Sequence, residues 1–371
     1  MKKYKFPLSE VYLDKEEKSL LNKFFNSKIL SSIGPYVSKF ENDFANYIGC
    51  SNSISVSNGT VAIELALKSL PLKPGTEIIV PNLTFAATIN AIINSGFKPV
   101  LTDISIDDWN IDINELKKNI SKKTSAILVV HLYGIPNKLD EIKKIAKKNK
   151  LFIVEDCAES LGTKVKNFKI GLVGDAATFS FYPNKLITTG EGGIAIFKNK
   201  KYYNKALQIR NQGRSRTKTY WHDYVGSNYR FTNLQASIGI SQLKKISKLL
   251  KIRKKIFQTY IKLLSKNKKI LFIPTPNDSE NSYWLFTIRI LNFNENKRNK
   301  FSKFLFKKGI ENRPMFYPLN KMSPYMKYSK GKFKNSELIS YQSISLPTSI
   351  FLNYSDLKKI CDTILNYLHN N

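Results

Sequence analysis

Thiol and imidazole chemistry has little material in this chain. Three cysteines, Cys50, Cys157 and Cys361, and three histidines, His131, His222 and His369, stand far apart. No C-x-x-C spacing occurs, so neither a disulfide framework nor a zinc site is expected. Long apolar runs are missing too: without a stretch of about 18 apolar residues, no membrane-crossing helix is expected. The opening "MKKYKFPLSEVYLDKEE" has basic residues but neither an apolar core nor a small-residue cleavage site, which argues against a signal peptide and for a cytoplasmic protein. Acidic residues are also scarce. Against 60 Lys and Arg there are 28 Asp and Glu, a formal net charge of +32. Clustered cations of that number would suit a nucleic acid, whose counterions they displace. Here the lysines are spread over amphipathic stretches such as "LDEIKKIAKKNK" and "SQLKKISKLLKIRKK", the pattern of solvated helix faces. No nucleic acid and no membrane partner is expected, and the charge is compatible with steering an anionic small molecule.

What is present is a globular composition. The 371 residues are 42% hydrophobic and 12% aromatic, enough for a sizeable core and two domains. From residue 51 to about 200, apolar strands at 77–80, 99–104, 126–130, 151–156, 177–181 and 193–197 alternate with helices near 60–70, 84–95, 112–120 and 138–149. That alternation predicts an α/β fold with a mostly parallel, helix-covered sheet. Ligands in such sheets sit beyond the carboxyl ends of the strands. A proline-free helical pattern from Asn233 to about Lys266 reads as a connector, followed by strand and helix patterns at 283–290, 298–310 and 355–368. The expected organisation is a large cofactor-binding domain over 1–250 and a smaller C-terminal α+β domain over 251–371.

Three stretches carry chemistry. In "FSFYPNKLITTGEGG" (179–193), Lys185 lies between aromatic residues and glycines. A lysine held out of water loses proton affinity, and its neutral amine attacks carbonyls; a lysine snorkelling from a loop is the plainer alternative. "LFIVEDCAES" (151–160) delivers Glu155 and Asp156 from the end of an apolar strand. Buried carboxylates there call for a cationic partner, such as a protonated pyridine nitrogen, unless Asp156 only caps a turn. "SVSNGTVAIELALKSL" (55–70) leads through Ser57, Asn58, Gly59 and Thr60 into a helix. Its first N–H groups suit a phosphate, although an ordinary N-cap looks the same. A lysine, a strand-end carboxylate and a phosphate-binding helix start converge on pyridoxal phosphate.

The segments "SNGT", "PNLTFAATINAI", "VHLYG", "EDCAES", "GDAATFSFYPNKLITTGEGG" and "VGSNYRFTNLQASIGISQL" resemble the DegT/StrS family of sugar-nucleotide aminotransferases, from about residue 5 to the C-terminus. The resemblance implies a type I pyridoxal-phosphate aminotransferase fold. It makes Lys185 the residue that forms the Schiff base and then carries the proton, and Asp156 the partner of the pyridine nitrogen. Glu159 would approach the ring hydroxyl and Phe85 would stack on the ring. Gly59, Thr60 and Ser180 would hold the phosphate, joined by Asn228 of a second subunit, so that a homodimer shares its sites. Glutamate is the amino donor that the resemblance implies, with pyridoxamine phosphate between the half-reactions.

Within the family, "YWHDYVGSNYRFTN" (220–233), "YWLFTIRI" (283–290) and "GIENRPMFYPLNKMSPY" (309–325) are most similar to the branch that aminates C4 of GDP-4-keto-6-deoxymannose for surface glycans such as O-antigen. Asn320 stands where the family commonly has histidine, which leaves a dTDP- or UDP-linked 4-keto sugar open. A dehydratase branch carries histidine in place of the lysine, and Lys185 argues against it. Intact Lys185, Asp156 and Asn228 argue likewise against an idle nucleic-acid-binding or regulatory protein on this fold.

Overall fold

The computed structural model describes residues 4–29, 31–273 and 275–370. Its centre is a seven-stranded sheet in the order Ser53–Val56, Gly193–Phe197, Ala176–Ser180, Phe152–Asp156, Thr124–Val130, Glu77–Pro81, Lys98–Thr102. From Ala176–Ser180 to Lys98–Thr102 every neighbouring pair is parallel. Gly193–Phe197 alone runs the other way, antiparallel to both of its neighbours. Parallel neighbours need a long crossover, whereas a short return pairs antiparallel. The return from Ser180 to Gly193 is the segment that carries Lys185, so this lysine stays at the carboxyl end of the sheet.

Side-chain alternation divides the sheet's residues between two cores. Ile78, Val80, Leu128, Val130 and Val154 face one cluster, while Ile79, Ile127, Val129 and Ile153 face the other. A third cluster, with Ile256, Tyr260, Phe286, Ile288, Phe301 and Ile360, surrounds a four-stranded antiparallel sheet. Its strands run in the order Ile270–Phe272, Phe286–Ile290, Ser343–Leu346, Arg313–Pro314. Met315, Leu319, Tyr325, Phe333 and Ile339, although C-terminal, are buried in the first cluster beside the large sheet.

Observed strands and helices lie within a few residues of those expected, with one correction. The helical pattern from Asn233 to Lys266 is two helices, Asn233–Lys244 and Ile246–Leu264, joined at Lys245. Proline is not needed for the break. Lys245 is buried, and its Nζ lies 2.7 Å from Asp14 and 2.6 Å from Glu17, which ties the junction of the two helices to the N-terminal segment. Asp14 and Glu17 also form the capping box that starts the helix Lys15–Ser27. Among the described residues no helix is long and apolar enough to cross a membrane.

Candidate active site

A cavity of about 630 Å³ opens where the central strands end, lined by Val130, Asp156 and Ser180 from three strand termini. The helix start Asn58–Gly59–Thr60, Phe85, Glu159 and Lys185 complete its inner wall. Seven of the eight residues expected at the site therefore meet in one place.

Lys185 is fixed through its neighbours. Its backbone N–H donates to the Tyr182 carbonyl at 2.9 Å. Its Nζ stands 4.2 Å from the centroid of the Trp284 ring. Trp284 Nε1 donates to the Asn184 carbonyl at 2.9 Å. The buried Arg253 guanidinium donates to the carbonyls of Trp284, at 3.1 Å, and of Lys185, at 3.3 Å. One cation thus ties the lysine's backbone to the ring beneath its amine. Burial lowers the proton affinity of Lys185; the charges of Glu159 and Asp156 oppose the shift without cancelling it, and Arg313 adds to it. This is the environment that makes a lysine a usable base.

The carboxylates divide by role. Asp156 Oδ1 accepts from the Ala158 N–H at 3.1 Å and Oδ2 from the Thr88 hydroxyl at 2.9 Å. Thr88 in turn lies 3.0 Å from Thr84 Oγ1. Burial raises the Asp156 carboxyl above the ordinary range, and among the described residues no cation stands within 4 Å of it. A positive group at this spot would stabilise its ionised form. Glu159 accepts from the Tyr133 N–H at 2.8 Å. Burial pushes its carboxyl up to about 7, against the pull of Lys185, so near neutrality it either donates or accepts a hydrogen bond.

Glu155 belongs elsewhere. Strand alternation turns it away from the cavity, where it takes N–H groups of Gly171 at 3.1 Å, Val173 at 2.9 Å and Gly174 at 2.6 Å. His131 Nε2 lies 3.1 Å from it. Burial would raise this carboxyl, but His131 and the N–H donors together hold it below the ordinary value. Its partners are thus protein groups. Among the described residues, His131, Glu155 and Cys157 are the one group of metal-ligand types that comes together. Those N–H donors already occupy the carboxylate, so the group reads as a hydrogen-bonded clamp.

At the other end, Asn58 caps the helix Gly59–Ser69 by accepting from the Val61 N–H at 3.0 Å. The first N–H groups of a helix have no acceptor within it. Here they belong to Gly59 and Thr60, beside the Ser180 hydroxyl. A Cβ on Gly59 would stand 2.9 Å from the Ser180 Cβ, so glycine is what lets the helix start and the hydroxyl share one cradle. The cradle, the Asp156 carboxylate with no cation beside it and the low-affinity Lys185 amine fit pyridoxal phosphate.

Phe85 is 59% exposed and faces Phe316 across 5.7 Å between ring centroids. Asn228 lies outside the cavity of its own chain, exposed, with its Oδ1 accepting from Arg230 Nε at 2.9 Å. Asn320 is also outside, held by Asn82 through two hydrogen bonds of 2.8 and 2.9 Å. Thr88, Trp284, Arg313 and Phe316 were not picked out from the sequence as site residues. Thr88 carried a usable signal: it follows Phe85 by three residues, one helical turn along the same face. Nothing local marks the other three.

The family model for the DegT/DnrJ/EryC1/StrS aminotransferase family matches residues 11–365. A Vibrio cholerae protein named GDP-perosamine synthase is 36% identical, in an alignment covering 98% of this chain and 99% of that one. The solved structure of Helicobacter pylori PseC, an aminotransferase involved in the biosynthesis of pseudoaminic acid, superposes with a TM-score of 0.94 at 27% identity, covering 99% of this chain and 100% of that one. An E. coli GDP-4-keto-6-deoxy-D-mannose-3-dehydratase with bound hydrated pyridoxal phosphate gives a TM-score of 0.90 at 26% identity, covering 97% and 99%.

Proposed function

The chain belongs to the DegT/DnrJ/EryC1/StrS aminotransferase family, and we propose that this pyridoxal-phosphate-dependent sugar aminotransferase acts on a nucleotide-linked 4-keto-6-deoxy sugar. The sugar we assign is GDP-4-keto-6-deoxymannose, the product GDP-perosamine and the donor L-glutamate. Support for the substrate comes from the end-to-end likeness to the Vibrio cholerae GDP-perosamine synthase. Support for amination rather than dehydration comes from one residue: the cavity holds a lysine, Lys185, with depressed proton affinity.

When bound, pyridoxal phosphate supplies an electron-withdrawing ring that stabilises a carbanionic centre. Asp156 keeps the proton on the ring nitrogen, and Thr88 and Ala158 orient Asp156. Gly59, Thr60 and Ser180 hold the phosphate. Glu159 shares a proton with the ring hydroxyl. The Lys185 amine takes up and returns the proton that moves, held in place by Trp284 and Arg253. We assign the protein to the cytoplasm, as a homodimer whose partner completes each phosphate site with Asn228, making an amino sugar for surface glycans.

The test combines spectroscopy with product analysis. The purified protein is expected to absorb visible light, and borohydride is expected to attach the cofactor to the peptide carrying Lys185. Lys185→Ala should keep the fold and lose turnover. In a panel of GDP-, dTDP- and UDP-linked 4-keto sugars, mass spectrometry should find amination of the GDP sugar with glutamate. Labelling of another lysine refutes the role of Lys185, and exclusive use of a dTDP or UDP sugar refutes the substrate.

A further inference from the structure

We propose that Glu64 and Tyr229 are positioning residues that aim Asn228 at the phosphate cradle of the partner subunit, an inference that rests on the shared-site reading above. Asn228 sits in an extended segment. It bridges Asn211, and Arg230, two residues on, bridges Val56. Between them the N–H of Tyr229 donates to the Arg210 carbonyl at 3.0 Å, and the Tyr229 carbonyl accepts from the Ser57 N–H at 3.0 Å. Ser57 lies two residues before Gly59, so the segment is joined to the turn that leads into its own subunit's cradle.

Adjacent side chains of an extended segment point to opposite sides. Tyr229 turns inward, onto the helix Gly59–Ser69. Its hydroxyl donates to Oε2 of Glu64 at 2.5 Å and accepts from Lys68 Nζ at 3.0 Å. Glu64 is buried, and its other oxygen accepts from Asn94 Nδ2 at 3.1 Å. With Lys68 donating to it, the phenol has one proton to give, and the carboxylate takes it. This charge-assisted lock holds Tyr229 on the inner side and so leaves Asn228 on the outer one, where it is exposed.

Arg230 completes the aim. Its Nε donates to Asn228 Oδ1 at 2.9 Å and its Nη1 to Asn211 Oδ1 at 3.0 Å. The carbonyl of the Asn228 amide is thereby occupied, and among the described residues its Nδ2 has no acceptor. An asparagine that served only its own turn would take a nearby backbone N–H with that oxygen. Here the free end of the amide presents donors alone, which is what a phosphate oxygen accepts. One helix therefore serves two sites: its first N–H groups form the cradle of its own subunit, and its flank, at Glu64, fixes the loop offered to the partner.

The test is a double-mutant cycle on cofactor affinity, read by absorbance titration of the cofactor-free dimer with pyridoxal phosphate. Tyr229→Phe keeps the ring and the backbone bonds and removes only the hydroxyl. It should weaken binding about threefold to tenfold, the scale of one net hydrogen bond, and Asn228→Ala should weaken it at least as much. Adding Tyr229→Phe to Asn228→Ala should then change affinity by less than about twofold, because the hydroxyl acts only through the asparagine. An equal loss in both backgrounds, or no loss in either, overturns the proposal. Native mass spectrometry verifies each dimer, and Glu64→Gln runs the same cycle should Tyr229→Phe lose its dimer. A heterodimer of wild type with the double variant Lys185→Ala/Tyr229→Phe, isolated through two affinity tags, locates the loss. Its lysine-bearing site belongs to the wild-type chain and should bind as weakly as Tyr229→Phe. Wild-type affinity there would show Tyr229 acting within its own subunit and overturn the proposal. Wild-type affinity in Asn228→Ala refutes the shared-site reading on which the proposal stands, an outcome distinct from the others.

Discussion

The Thr88 hydroxyl donates to Oδ2 of Asp156 across 2.9 Å, so the helix that follows the strand Glu77–Pro81 orients the carboxylate at the end of the strand Phe152–Asp156. Burial already raises this carboxyl, and losing Thr88 would raise it further. Thr88→Val is therefore expected to weaken cofactor binding by about 1.5–3 kcal/mol, the scale of a hydrogen bond to a charged group. Asp156→Asn should reduce turnover more than cofactor occupancy, because an amide cannot keep the ring nitrogen protonated. Absorbance titration with the cofactor, beside steady-state rates, measures both effects; wild-type turnover in Asp156→Asn would remove Asp156 from the site.

Glu159 makes stability depend on pH. Its carboxyl is raised from 4.5 to about 7 by burial, so the folded protein holds a proton that the unfolded chain releases. The stability this contributes is complete below about 4.5 and is lost as the pH rises through about 7. Its full span is about 3 kcal/mol, at 1.36 kcal/mol per pH unit. Glu159→Gln, neutral throughout, should therefore gain stability relative to wild type between pH 5 and pH 8. Urea unfolding of the cofactor-free proteins at those two values reads the difference; an equal difference at both would show that Glu159 is not held protonated.

Gly59→Ala should lower cofactor affinity at least tenfold while leaving the fold intact. Alanine is the better helix former, but its Cβ would stand 2.9 Å from the Ser180 Cβ and force the cradle open. Fluorescence titration with pyridoxal phosphate, and with inorganic phosphate as competitor, checks this. Unchanged affinity would mean that the phosphate lies elsewhere.

Sharing of sites between subunits is tested by mixing. Asn228 is exposed and outside its own cavity, as a residue offered to a partner would be. If Lys185→Ala and Asn228→Asp proteins are each inactive, exchange of subunits creates one site with both lesions and one with neither. Activity should then reappear, up to about a quarter of wild type for random pairing. With exchange verified by native mass spectrometry, a mixture that stays inactive would return Asn228 to its own subunit or exclude it from the site.

Local pattern was enough for the sheet and for the residues that project from it. Apolar strands ending in Asp156 and Ser180, and a helix starting at Gly59, are legible because strand alternation, helix capping and buried charge are short-range constraints. Lys185 stood out for the same reason, as a cation among aromatic residues and glycines. Two features escaped because they depend on partners far along the chain. The junction at Lys245 is tied to Asp14 and Glu17, more than 200 residues earlier. Trp284 and Arg313 reach the cavity, and Arg253 reaches the backbone of Lys185, only because the second sheet and its flanking helices pack where they do. Their own neighbours in sequence carry no mark of it. The pair Glu155 and Asp156 shows the division most plainly: both read as carboxylates in need of a cation. Only the packed sheet, with His131 and three N–H groups on one face and a cavity on the other, decided which of them was left for a ligand.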